Sequence, residues 1–244
     1  MALALPVTAP VRPNRLGGIR QVATWVTEAR IGAAETVVFQ SQGCTFPQLA
    51  IGLCYGETTV TEKAGVGITN VAGIGAPFAM YGGVKCFLGP DSDLAEQARA
   101  ILIDGEDRMI EDRLEAWATG GTALAAGTTL VGAVANIEQD MDDKYLGQGY
   151  LLMARSDAVK ARAQGAIIDP GLGNLPTSIN GTPVVASGRV TAGTVYGLGA
   201  TTVLRSAVTT IEALDPRSND EWQIAEAVYA IVVDCAYRVK SAGA

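Results

Sequence analysis

The chain has 244 residues, 48% of them hydrophobic, with Lys+Arg 18 against Asp+Glu 25 and a formal net charge of -7. That length and apolar content support a substantial core and exclude a disordered chain, and the acid excess excludes a general phosphate-gripping surface, which needs a basic patch. Histidine is absent, which removes the commonest general base, neutral-pH switch and metal ligand.

The opening MALALPVTAPVR has no basic residues ahead of its apolar ones, and no segment approaches 18 uninterrupted apolar positions. Neither a signal peptide nor a membrane span is expected, and the product reads as soluble and made in the cytoplasm. Residues 1 to 20 hold Pro6, Pro10, Pro13, Gly17 and Gly18 with Arg12, Arg15 and Arg20, a composition suited to an extended arm that needs another surface to lie on. Short β segments are predicted at 35 to 39, 49 to 55, 57 to 62 and 78 to 88, separated by glycine-rich joints. The uncharged GVGITNVAGIGAP at 65 to 77 can build little core and reads as a long hairpin with a mobile tip.

Asp93 to Ala118 carries the one long helix signal. Leu94, Ala98, Ile101, Leu102, Met109, Ile110, Leu114 and Trp117 return at three- and four-residue intervals between charged residues, which predicts a core-facing stripe and a wet face. Pro90 sets an extended entry, Asp93 with Glu96 has capping-box spacing, and Gly120-Gly121 predicts a left-handed stop. The element spans roughly 39 Å. On its charged side Asp104, Glu106, Asp107, Glu111, Asp112 and Glu115 alternate with Arg99, Arg108 and Arg113, a pattern that reads as i,i+4 pairs on a solvated face rather than paired acid/base groups.

A second helix is predicted from about Thr128 to Tyr145, with Leu130, Val134, Ile137 and Met141 on one stripe. YLLMA at 150 to 154 reads as a buried strand, and SDAVKARAQ as a short helix capped by Ser156. GTPVVAS, TVYGLG, TVLRSAVTTIEAL and WQIAEAVYAIVVDCAYRVK follow as strands, the last read as one long element over 222 to 240. Asp140, Asp142 and Asp143 lack the glycine and late glutamate of a calcium loop and read as a solvated helix end. Asn180-Gly-Thr182 matches a glycosylation sequon but, with no secretory signal, reads as a turn.

Glycine pairs Gly65/Gly67, Gly73/Gly75, Gly171/Gly173 and Gly197/Gly199 do not complete G-x-G-x-x-G, the sixth positions being Asn70, Phe78, Pro176 and Thr202, so no dinucleotide loop is expected. Cys44, Cys54, Cys86 and Cys235 show no C-x-x-C spacing. They read as buried thiols, or as a bridge among Cys44, Cys54 and Cys86 formed after release into oxidising surroundings. The overall prediction is a mixed α/β fold around one dominant helix, with an arm and a hairpin that have no core of their own.

The run APFAMYGGVKCFLGPDSDLAEQARAILIDGEDRMIEDRLEAW, residues 76 to 117, resembles the junction of extended loop and spine helix in major capsid proteins of tailed bacteriophages, especially those infecting actinobacteria. VYAIVVDCAYRVKSAG, residues 228 to 243 with their Tyr237-Arg238 step, is similar to the last strand of that Hong Kong 97-type fold. The resemblance implies an α+β shell subunit with five parts. These are an N-terminal arm at 1-30, an extended loop and its base at 31-90, a peripheral domain with the spine helix at 91-127, an axial domain at 128-210, and terminal strands at 211-244 returning to the peripheral domain.

It further implies self-assembly into pentamers and hexamers of an icosahedral head, put together in the host cytoplasm and residing in the virion. That head encloses double-stranded DNA without sequence-specific binding and without contact with a membrane. Catalytic residues, cofactors and metal are not expected. A separate scaffolding protein, a portal and decoration proteins are the implied partners. Some members link a loop lysine covalently to a neighbour's asparagine with help from a glutamate. Those last two positions fall near Trp222 and Tyr229, so that chemistry is not expected, although Lys63, Lys85, Asn219 and Glu226 lie nearby in sequence. Gly105 marks where the spine is expected to bend if subunits flex during maturation. The competing readings are an encapsulin-like nanocompartment shell and, more distantly, a small enzyme using Asp104 and Asp107.

Overall fold

The structure, a computed structural model, describes residues 15–40, 44, 72–87, 94–169, 171, 174–215 and 220–243. In chain order the elements are β1 (Thr24–Thr27), β2 (Val37–Gln40), β3 (Ala72–Gly75), β4 (Phe78–Phe87), α1 (Leu94–Ala118), β5 (Thr122–Ala123), α2 (Leu130–Lys144), β6 (Tyr150–Ala154), α3 (Arg155–Ala163), β7 (Ile167–Ile168), β8 (Thr177–Ser178), β9 (Val184–Ser187), β10 (Thr194–Leu198), β11 (Thr201–Arg205), β12 (Thr209–Asp215), β13 (Asp220–Val233) and β14 (Arg238–Ala242). The strands expected at 49 to 55 and 57 to 62, most of the 65 to 77 hairpin, and the Asp93 cap lie outside the described residues.

Periodicity locates α1 and most of its dry face, Leu94, Ala98, Leu102, Ile110 and Leu114 being buried as expected. Leu94, Ala98, Leu102, Glu106, Ile110, Leu114 and Ala118 are the buried line, in steps of four. Four residues exceed the 3.6 of one turn, so this line rotates about 40° per step. The helix therefore presents its start to β4 and its end to β14, where Arg238 Nη1 donates to the Trp117 carbonyl at 2.7 Å. The rotation leaves Ile101 and Met109, both expected in the core, 43% and 41% exposed. Nor does a left-handed glycine end the helix, since neither Gly120 nor Gly121 has positive φ. Gly121 is needed for closeness instead, because a Cβ there would stand 2.8 Å from the Arg238 carbonyl oxygen.

Two sheets flank this helix. In the first, β13 is the centre: β4 pairs antiparallel along 220 to 229, β12 along 220 to 226 and β11 along 229 to 233, with β1 parallel to β11. β11 and β12 follow the same side of β13 through a bulge. The Ser206 amide donates to the Val228 carbonyl at 2.9 Å and pairing resumes at Thr209↔Glu226, so two residues face Ala227 alone. Gly82 of β4 is where α1 comes closest. A Cβ there would lie 2.7 Å from the Leu102 amide nitrogen and 3.0 Å from the Ala98 carbonyl oxygen, both main-chain atoms that cannot rotate away. Gly82→Ala is expected to cost about 1–3 kcal/mol in urea unfolding. Gly83→Ala, whose nearest neighbour would be 3.5 Å away, is expected to be nearly neutral, and equal costs would refute the close-approach argument.

The second sheet has the order β5-β14-β10-β6-β9. All five residues of β6 are buried, because the sheet is covered on both faces. Tyr150 and Leu152 join the α1 core, while Leu151 and Met153 join a second core with Leu130, Val134, Ile137 and Met141 of α2, the period-two consequence of a strand between two layers. Thr129 caps α2, accepting from the Gly132 amide at 3.2 Å. α3 begins at Arg155, immediately after β6, and Ser156 does not cap it. Its buried first-turn Asp157 instead accepts from the Gly193 amide at 2.5 Å and ties down the turn before β10. Gly181, at φ +91°, makes the turn expected around Asn180.

The terminal stretch expected as one strand is two. β13 ends at Val233, and Asp234, Cys235 and Ala236 turn the chain so that β14 enters the second sheet beside β10. Cys235 and Ala236 take left-handed φ of 54° and 47°, a conformation that the loose alternation of 222 to 240 did not predict. Cys235 is disulfide-bonded to Cys44 with Cα atoms 5.6 Å apart, so Cys44 bonds neither Cys54 nor Cys86. The reason is spatial: β13 delivers position 235 to the segment following β2, 191 residues away in sequence. Tyr145 holds the same turn, donating to Asp234 Oδ2 at 3.0 Å and accepting from the Ala200 amide at 2.9 Å. Burial pushes its phenol up to about 12.

Candidate assembly surfaces and the buried charge cluster

The described part of the expected arm lies on its own subunit. Ile19 is fully buried in the α1 core, and the residues around it bring three cationic or donor groups to α1. Arg20 Nη2 donates to Glu106 Oε2 at 2.6 Å and its Nε to Asp107 Oδ1 at 2.9 Å. The Ile19 amide donates to Glu111 Oε1 at 3.0 Å, and Arg15 is paired with the same oxygen. From the sheet side, Arg205 Nη1 and the Tyr229 hydroxyl both donate to Glu106 Oε1, at 2.8 and 2.7 Å.

Glu106 and Glu111 thus sit at 0% exposure, a correction to the solvated-face reading of α1. Their pairing does not run along the helix. It joins α1 to the N-terminal segment, β11 and β13, where desolvated carboxylates need arginine forks. Asp107 is part of this clamp and Asp112 is exposed, while the Glu115 carboxylate accepts from the Thr191 amide at 2.7 Å. Asp104 is exposed while Asp107 is held by Arg20, so the two carboxylates stand in different surroundings. Asp140 is buried rather than solvated, accepting from the Tyr237 hydroxyl at 3.0 Å and paired with Lys144, while Asp142 and Asp143 remain exposed. Among the described residues no group of three candidate metal ligands occurs.

Burial pushes the Glu111 carboxyl above its ordinary range, an effect that Arg15 and the Ile19 amide offset only in part. A folded value above the unfolded one means that the folded chain holds this proton more tightly. Its stabilising share is complete in acid and is lost as pH rises through the folded value. Glu111→Gln is expected to remove that slope from the stability–pH curve above the ordinary carboxylate range. An unchanged curve would show that Glu111 is not its source.

Some of the exposed large apolar side chains among the described residues lie on the sheet face turned away from α1. Alternation along β4, β12 and β13 buries Met80, Gln223, Ala225 and Ala227 and turns Tyr81, Ile211 and Trp222 outward at 74%, 50% and 42% exposure. Lys85 lies 4.9 Å from the Trp222 ring centroid. Apolar side chains grouped on one exposed face are a common mark of interaction sites in folded proteins. At the two positions near which the resemblance puts the cross-linking asparagine and glutamate, Trp222 is the platform under Lys85 and Tyr229 is buried on Glu106. Lys63 and Asn219 lie outside the described residues.

No protein-family model matches the chain and no curated protein matches it in sequence. Solved structures do match in shape. The capsid of an empty GTA particle aligns with a TM-score of 0.60 at 11% identity, over 100% of this chain and 95% of that one. The capsid of Ralstonia phage GP4 gives 0.53 at 11% identity, over 100% and 96%. The fold is a capsid-shell fold. It extends to the SrpI encapsulin of Synechococcus elongatus, with a TM-score of 0.63 at 8% identity over 99% and 92%. Within the capsid-shell fold, sequence had indicated α1 and the β4 run. It missed the Glu106 clamp, whose only linear trace is an acidic residue falling in the four-residue rhythm Leu102, Glu106, Ile110.

Proposed function

We propose that this chain is the major capsid subunit of a tailed phage, which self-associates into pentamers and hexamers and closes an icosahedral head around double-stranded DNA. One observation carries the reading: shell subunits match the whole length of this chain while being themselves matched over nine-tenths or more. An outward apolar sheet face suits a tile that is completed only by neighbours, and carboxylates consumed in an internal clamp suit a chain that performs no catalysis.

In this reading the arm occupies 1 to 30. The extended loop and its base occupy 31 to 90, and the peripheral domain with α1 as spine 91 to 127. The axial domain is centred on the second sheet at 128 to 210 and also receives β14. Assembly takes place in the host cytoplasm, with a separate scaffolding protein or with none, and expression of the chain alone distinguishes the two: uniform closed shells from the pure protein would remove the need for a scaffold.

Electron microscopy of the purified assembly tests this directly. Closed icosahedral particles with five-fold and six-fold clusters are expected, filled with DNA when taken from lysates of the producing phage. Particles loaded with an enzyme instead would assign the encapsulin reading, and a monomer or dimer under all conditions would defeat both. Gly105 offers a second check. A Cβ added there meets nothing, so Gly105→Ala is expected to stabilise the subunit by about 0.5–1 kcal/mol in thermal melts. The same glycine is the proposed bend point of the spine, and straight, identical helix axes in symmetry-independent subunits would refute that role.

A further inference from the structure

Four arginines from four separate segments converge on one concavity. Arg15 before β1, Arg108 on α1, Arg155 at the start of α3 and Arg189 after β9 line a pocket of about 270 Å³, completed by Gly188. Arg15 is paired with Glu111, yet its Nε is buried without a hydrogen-bond partner. The side chains of Arg108, Arg155 and Arg189 are exposed, and none is in an ion pair with any described residue. Three uncompensated positive charges in one concavity repel one another, and they do so in a chain whose net charge is -7.

We propose that this pocket seats carboxylates of a second copy of the chain, an inference that rests on the shell reading. Guanidinium forks match carboxylates in bidentate geometry. A compact pocket takes a compact anion, whereas a duplex reader spreads its cations along a face of a basic domain. A second copy brings such anions at exposed sites, including the adjacent Asp142 and Asp143 at the end of α2. Each neighbour then neutralises the pocket of the next, so the charge cluster exposed in the free subunit becomes an interface in the shell.

The test starts from conditions in which the unmodified chain forms closed particles. The triple variant R108E/R155E/R189E is expected to lower particle yield about tenfold or more while leaving the melting curve of the unassembled subunit unchanged. Arg108→Lys and Arg189→Lys keep the charge and are expected to assemble. In particles mixed from light and isotopically heavy subunits, carbodiimide is then expected to couple these lysines to carboxylates of the opposite label. Couplings confined to one label, or normal assembly of the triple variant, overturn the inference alone. Failure of the unmodified chain to form particles overturns the shell reading and this inference with it. A triple variant that assembles normally but loses retention of duplex DNA would assign the pocket to phosphate and likewise overturn the proposal.

Discussion

Glu106→Ala lowers the stability of the unassembled subunit by about 3–5 kcal/mol, the expected cost of removing one partner from a buried ionic cluster. The carboxylate is fully buried and is shared by Arg20, Arg205 and the Tyr229 hydroxyl. Its removal takes the acceptor from Arg205 and the Tyr229 phenol, leaves Arg20 with Asp107 alone, and opens a void between α1 and β13. Arg205 and Arg20 retain 29% and 34% side-chain exposure, so water can rehydrate them partly, which sets the loss below that of a wholly enclosed pair. Urea unfolding provides the measurement. Glu106→Gln, which keeps an acceptor, is expected to lose less, and a loss below about 1 kcal/mol for alanine would show that the cluster is not a clamp.

The other large effect is the Cys44–Cys235 bridge. It closes a loop with a sequence separation of 191, and chain-entropy reasoning gives long loops the larger stabilisation, typically about 2–5 kcal/mol for a native bridge. Cys235→Ser, or dithiothreitol on the unmodified chain, is expected to lower stability by that amount, with no further loss when both are applied. Cytoplasmic thiols keep such bonds open, so particles are expected to gain the bridge after release, detectable as a thermal-midpoint rise on oxidation. An equal response to dithiothreitol in the Cys44→Ser variant would move the redox effect to other cysteines. Cys235 and Ala236 hold left-handed φ without being glycine, so the turn is maintained by its surroundings, with Asp234 on Tyr145 as one anchor.

These two features mark where reading along the chain stops being informative. α1 and α2 were legible because helical periodicity acts over a few residues: α1 ends at the expected Ala118 and α2 buries the expected Leu130, Val134, Ile137 and Met141. YLLMA announced its double burial by being apolar throughout. The capsid resemblance rested on residues 76 to 117, which include β4 and α1, neighbours in sequence that pack on each other at Gly82. Composition also showed that no histidine is present to serve as base, switch or ligand.

Tertiary structure alone decided which carboxylates of α1 are buried, because their partners lie 86 to 123 residues away and no linear pattern carries that distance. It also decided that residues 222 to 240 divide between two sheets, since a strand's alternation says which side is buried but not where the chain leaves one layer for another. The partner of Cys44 and the meeting of four arginines have the same origin. Local physics set the elements of this protein. Long-range desolvation, which makes every buried charge find an opposite one, set how they are joined.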